Sequence, residues 1–89
     1  MLFVTFSASG QEFRSAAYCA QLADIGVSTY RTKQAGYSME SVLQKIDEML
    51  ADNPEKREAA EGVVIAIYGA DSIKNAQQAY DIVYSSCKL

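Results

Sequence analysis

The chain has 89 residues, of which 49% are hydrophobic and 21% are charged, and its formal net charge is −3 at pH 7. This length gives one domain at most, and the apolar fraction excludes a largely disordered chain. The acidic balance argues against nucleic acid as a partner, because general affinity for nucleic acid requires a basic surface. No run approaches the roughly 18 apolar residues of a membrane-spanning helix, so we predict no stable membrane insertion.

The residue types that usually carry catalysis are scarce. The chain contains no His, which removes the commonest general base and the commonest metal ligand. Its two cysteines are not spaced as C-x-x-C, and two thiols alone do not form a four-ligand zinc site. A glycine-rich phosphate loop, a G-x-S-x-G elbow and a calcium loop are also missing from the sequence. We therefore predict a non-enzymatic protein without a catalytic residue, metal site or cofactor.

The first ten residues, MLFVTFSASG, resemble the end of a secretory signal peptide. The apolar run from Leu2 to Phe6 is followed by small residues, and Ala8 and Gly10 occupy the −3 and −1 positions for cleavage before Gln11. A basic beginning is missing and the apolar run is short. We predict that residues 1–10 are a signal peptide lacking its beginning and that residues 11–89 form one domain. The alternative is a native strand or helical turn that packs on the core.

A first helix is predicted from about Glu12 to Ala35. Apolar or small residues recur there at steps of three and four, which places them on one face: Phe13, Ala16, Ala20, Ala23, Val27 and Tyr30. A second row beside that face contains Cys19, Leu22 and Gly26. Because glycine inside a helix costs up to about 1 kcal/mol relative to alanine, Gly26 indicates a bend or a close helix crossing.

Two further helices follow. Ser38 is a predicted N-cap for a helix with an apolar stripe made of Val42, Leu43, Ile46, Met49 and Leu50. Asn53 and Pro54 then predict the start of a third helix, which ends near Tyr68 or Gly69. Its second half, GVVIAIYG, would be a buried strand if considered alone. We prefer a helix, since a single strand has no partner, and expect this apolar helix to be the central and most buried one.

The last helix is predicted to begin after a cap at Asp71 or Ser72 and to continue to about Ser86. Its apolar positions keep the three-four spacing and form one face: Ile73, Ala76, Tyr80, Val83 and Cys87. The predicted fold class is therefore all-α, a compact bundle of about four helices.

The two cysteines lie near opposite ends of the domain. In an exported protein the simplest expectation is a disulfide between Cys19 and Cys87, because both lie on or beside core-facing positions. The two ends meet if the first and last helices are antiparallel. Closing so long a loop would stabilise the fold by roughly 4 kcal/mol on the chain-entropy model. The alternative is a pair of reduced, buried thiols in a cytosolic protein.

One candidate binding patch surrounds the end of the first helix. It contains Tyr30, Arg31, Lys33 and Tyr37, a combination that favours binding of an anion or a carboxylate. The alternative is that the cations complement the helix dipole and are otherwise solvated.

Several of these features together resemble a class of short proteins. A cysteine in the first helix, YRTKQAG before a turn and AQQAYDIVYSSC at the end resemble short, uncharacterised proteins of proteobacteria and their prophages, in which two cysteines bracket a small helical domain. The resemblance implies export and a helical fold, and it implies no activity.

The predicted function is a small exported protein, periplasmic or secreted, that binds another protein without catalysing a reaction. The alternative is a cytosolic helical regulator or assembly subunit with reduced cysteines. The sequence does not indicate an oligomeric state.

Overall fold

The computed structural model describes residues 15–88. Four helices occur in this range: α1 (Ala16–Gln34), α2 (Met39–Met49), α3 (Pro54–Gly69) and α4 (Ala76–Lys88). Residues 15–88 contain no strand, so the all-α prediction is confirmed. The predicted signal peptide at residues 1–10 and the predicted first turn at Glu12 lie outside the described residues.

Side-chain caps begin the first three helices. Ser15, Ser38 and Asn53 each accept a hydrogen bond, at 3.2 Å, from the backbone N–H three residues further along the chain. These bonds satisfy N–H groups that have no partner within the helix. The predicted caps Ser38 and Asn53 are therefore confirmed. Gly36, at φ 95°, turns the chain between α1 and α2 in a conformation that side-chain-bearing residues rarely adopt.

The start of α4 differs from the prediction. The predicted caps Asp71 and Ser72 are wrong, because Asn75 accepts the hydrogen bond from the N–H of Gln78, at 2.9 Å. The Gln78 side chain in turn accepts from the N–H of Lys74, at 2.6 Å. The two bonds satisfy the backbone donors of Lys74 and Gln78 at the start of the helix, which begins at Ala76. The helix continues to Lys88, two residues beyond the predicted end.

The apolar segment from Gly62 to Gly69 is helical, as predicted, but α3 is not the central helix. Its Ile65 side chain is 53% exposed. The central position belongs to α1, which packs against all three other helices. A helix that is apolar on all sides is therefore not always the central helix of the bundle. Helix α1 is central because its small residues let neighbouring helices approach closely.

The buried face of α1 combines residues from both predicted rows. Of the predicted main row, Ala23 and Tyr30 are buried as predicted, whereas Ala16 is exposed and Ala20 and Val27 are only partly buried. The neighbouring row is buried throughout, with Cys19 and Leu22 in the core and Gly26 between α1 and α4. The reason is the close approach of α4, which meets α1 along the row that contains Gly26.

Helices α1 and α4 cross closely and run antiparallel. A Cβ atom placed on Gly26 would lie 2.8 Å from Cγ2 of Val83 and 3.5 Å from the carbonyl oxygen of Ala79. The predicted disulfide joins the same two helices near the start of α1 and the end of α4. It links Cys19 to Cys87, whose Cα atoms are 5.5 Å apart. Both the helix crossing at Gly26 and the disulfide are confirmed.

Two apolar clusters form the core. The larger joins α1, α3 and α4 around Leu22, Ile67 and Val83. The smaller joins α2 to α3 through Ile46, Ala60 and Val64. Helix α2 is therefore held mainly by α3 and makes only a slight contact with α1.

Gly26→Ala should lower the free energy of unfolding by about 1–3 kcal/mol, because the added methyl group overpacks the contact with Val83. Gly62→Ala is the matched control, since a Cβ on Gly62 would have no neighbour within 4 Å. This control should stabilise the protein by about 0.5–1 kcal/mol through helix propensity. Urea denaturation followed by circular dichroism measures both changes. Equal stabilisation by the two substitutions would contradict a close crossing.

Candidate functional site

The structure separates the residues of the predicted patch. Tyr30 is buried, 9% exposed, and belongs to the larger core cluster. Its hydroxyl oxygen accepts a hydrogen bond from Nε2 of Gln34, at 3.0 Å. Its ring is therefore part of the packing and offers no surface to a ligand. Arg31 is exposed on the last part of α1.

Lys33 makes a contact within the fold. Its Nζ donates to the carbonyl oxygen of Ile67, at 3.2 Å, and lies 6.0 Å from the centroid of the Tyr68 ring. Ile67 is in the last turn of α3, where the helix dipole is negative, and its carbonyl oxygen also accepts a hydrogen bond from the N–H of Ala70, at 3.3 Å. Lys33 therefore joins α1 to the end of α3, an arrangement that the sequence did not indicate.

Tyr37 is the patch residue whose aromatic ring is exposed. The hydroxyl of Tyr68 donates to the carbonyl oxygen of Tyr37, at 2.7 Å, and burial raises the pKa of that Tyr68 hydroxyl. This bond fixes the backbone between α1 and α2, while the Tyr37 side chain remains 62% exposed. The result is an exposed aromatic side chain on a backbone that a hydrogen bond holds in place.

Tyr37 lies at one end of a cleft between α1 and α2. The α1–α2 cleft consists of two adjoining hollows, of about 400 and 270 Å³, which share Thr32, Val42 and Lys45. It exists because α2 packs on α3 and makes only a slight contact with α1. The cleft is also lined by Asp24, Ile25, Ser28, Tyr37, Ser41 and Met49.

The cleft has apolar walls and exposed apolar side chains at its ends. Ile25 and Val42 form part of the walls, and Met49, 67% exposed, lies at the end opposite Tyr37. The Thr32 hydroxyl donates to the carbonyl oxygen of Ser28 in its own helix, at 2.8 Å. Tyrosine and methionine are enriched at protein interfaces, and methionine adapts its shape to a partner.

Two opposite charges line this cleft. Lys45 on α2 borders both hollows, and Asp24 on α1 borders the smaller one. Within residues 15–88, neither side chain makes a hydrogen bond or an ion pair. The sequence did not single out Lys45 or Asp24, and Met49, which was predicted as part of the apolar stripe of α2, is exposed. The sequence feature that could have indicated the cleft is the apolar stripe of α2, because the stripe is wider than the surface that one neighbouring helix covers.

A second hollow lies between α3 and α4. It measures about 270 Å³, and Leu22, Val63 and Ile82 are among its lining residues. Ile82 is 45% exposed at its edge. Since this hollow contains no charged side chain, it has little means of distinguishing one apolar occupant from another.

One pair of carboxyl groups, Asp47 and Glu61, lies close together in the described part of the chain. A hydrogen bond with Asp47 raises the pKa of the Glu61 carboxyl, and desolvation and the Asp47 charge act in the same direction. This pair connects α2 to α3 and lies outside the α1–α2 cleft. Among residues 15–88, no group of three potential metal-ligating side chains is close enough to hold an ion. None of the described helices is long and apolar enough to cross a membrane.

Comparison with known proteins identifies no relative. No family model, curated protein or solved structure matches the chain. The resemblance to exported proteobacterial and prophage proteins therefore stays a prediction.

Lys33→Met should lower the free energy of unfolding by about 1 kcal/mol or somewhat more, because the Ile67 carbonyl loses a charged donor while the aliphatic stem is kept. Arg31→Met is the matched control and should change stability by less than about 0.5 kcal/mol, since Arg31 is exposed. Urea denaturation of the two variants and the parent measures the difference. A larger loss of stability with Arg31→Met than with Lys33→Met would contradict a stabilising contact at Lys33.

Proposed function

We propose that this protein is a small exported domain that binds another protein through the α1–α2 cleft and catalyses no reaction. The observation that carries the proposal is the pair of exposed side chains, Tyr37 and Met49, at the two ends of a cleft with apolar walls. Large exposed apolar side chains beside a concave surface are typical of sites that a partner covers.

The position of Tyr37 also favours binding on energetic grounds. The Tyr68 hydroxyl holds the Tyr37 backbone, so a partner that packs on the Tyr37 ring has less conformational freedom to remove. The unbranched Met49 side chain adapts to the partner's surface. A rigid anchor and an adaptable one at opposite ends of the cleft suit a protein segment better than a small ligand.

The disulfide supports export. Cys19 is fully buried and is bonded to Cys87 across the first and last helices. Disulfides persist in the periplasm and outside the cell, whereas cytosolic thiols are kept reduced. The absence of His from the sequence and the exposed position of the Asp47 carboxyl favour binding over catalysis.

Export is tested by the intact mass of the protein made in its native host. In denaturant without reductant, alkylation should add no mass, and after reduction it should add the mass of two alkyl groups, because Cys19 and Cys87 are bonded. The protein should be recovered from the periplasm or the medium. Recovery from the cytosol with two thiols that react without reduction would overturn export and favour the cytosolic alternative.

Binding is tested by a pull-down from the native cell envelope with immobilised protein. Joint replacement of Tyr37 and Met49 by alanine should lower the amount of captured partner at least about tenfold, which corresponds to about 1.4 kcal/mol of binding free energy. The matched control replaces Ile65 and Ile82, two exposed residues outside the cleft, by alanine. Equal capture by the parent and both variants would overturn binding through the cleft.

A further inference from the structure

The charges in the α1–α2 cleft indicate which segment of a partner it accepts. Lys45 borders both hollows and therefore lies near the middle, whereas Asp24 borders the smaller hollow together with Met49. Within the described chain neither side chain has a partner of opposite charge within 4 Å. The cleft thus presents one cation and one anion on facing helices.

We propose that the cleft takes an extended segment of a partner protein in which an acidic side chain lies beside Lys45 and a basic one beside Asp24. Apolar side chains of the same segment contact the cleft walls. This inference rests on the proposed function and adds the chemistry of the partner.

The length of the cleft limits the segment. The lining residues of α1 extend from Asp24 to Thr32, which is about 12 Å at 1.5 Å per residue. An extended chain covers this length with about four residues. The acidic and basic side chains should therefore occur within about four residues of each other, a spacing that a small zwitterionic molecule does not reproduce with apolar groups on both sides.

The two charges should govern specificity more than affinity. A bound segment excludes water from the cleft, which strengthens the attraction between opposite charges but also removes their hydration. These two effects nearly cancel for a correct pair, whereas a like charge beside Lys45 loses hydration without compensation. The net charge of −3 adds general repulsion of acidic partners, so an acidic preference would have to come from Lys45 itself.

The test is selection of peptides from a phage-displayed library of random sequences about twelve residues long, with the disulfide-bonded protein immobilised. Selected peptides should be enriched in an acidic and a basic residue within about four positions, with apolar residues nearby. With Lys45→Glu, the acidic preference should be replaced by a basic one. Lys74→Glu is the matched control, because Lys74 is exposed outside the cleft and its replacement changes the net charge equally.

A titration then measures the coupling directly. Changing the acidic residue of a selected peptide to its amide should weaken binding to the parent at least about threefold and leave binding to the Lys45→Glu variant unweakened. Unchanged selection on the Lys45→Glu variant would overturn this inference.

A variant with alanine at both Tyr37 and Met49 separates this failure from failure of the proposed function. If it loses the selected peptides while Lys45→Glu does not alter their composition, the cleft binds protein but the charges do not select it. Peptides that bind this variant as well as the parent, or no enrichment on the parent, would overturn both the inference and the proposed function.

Discussion

The close antiparallel contact between α1 and α4 is the constraint on which the rest of the structure depends. Gly26 lets the two helices approach until Val83 fills the space that a side chain would occupy. The disulfide joins the same two helices across a sequence separation of 68 residues, which restricts the unfolded chain by roughly 4 kcal/mol on the entropy model. This is a large contribution in a domain whose total stability is of the order of 5–15 kcal/mol. The rest of the fold packs onto the pair of helices α1 and α4.

The α1–α2 cleft follows from the way the other helices attach to this pair. Helix α3 packs on α1, and α2 then packs on α3 through Ile46 and Val64. The apolar stripe of α2 is wider than α3 covers, so its Met49 side chain remains exposed beside α1. The exposed apolar surface thus results from a shortage of neighbouring helices, and a binding partner is one way to complete it.

Local signals predicted much of the fold. Capping residues act on the next three residues of the chain, which is why Ser38 and Asn53 could be identified from the sequence alone. Helical periodicity shows which residues share a face but not which face meets a neighbour, and Gly26 contributes nothing to a hydrophobic pattern. The start of α4 was missed because capping residue types occur at 71, 72 and 75, and the choice of Asn75 depends on Gln78, whose N–H donates to Asn75 and whose side chain accepts from the N–H of Lys74.

The candidate site was harder to predict because contacts between distant parts of the chain decide which of its residues are buried or bonded and which are exposed. Lys33 looked available for a ligand, yet its ammonium binds a carbonyl 34 residues away. Tyr37 looked equivalent to Tyr30, yet one ring is exposed and the other is in the core. Whether a side chain serves the fold or a partner depends on whether another helix places an acceptor within its reach. The negative end of α3 offers Lys33 a carbonyl oxygen, whereas Lys45 has no hydrogen-bond or ion-pair partner among residues 15–88, so the Lys45 ammonium in the cleft is available to a partner.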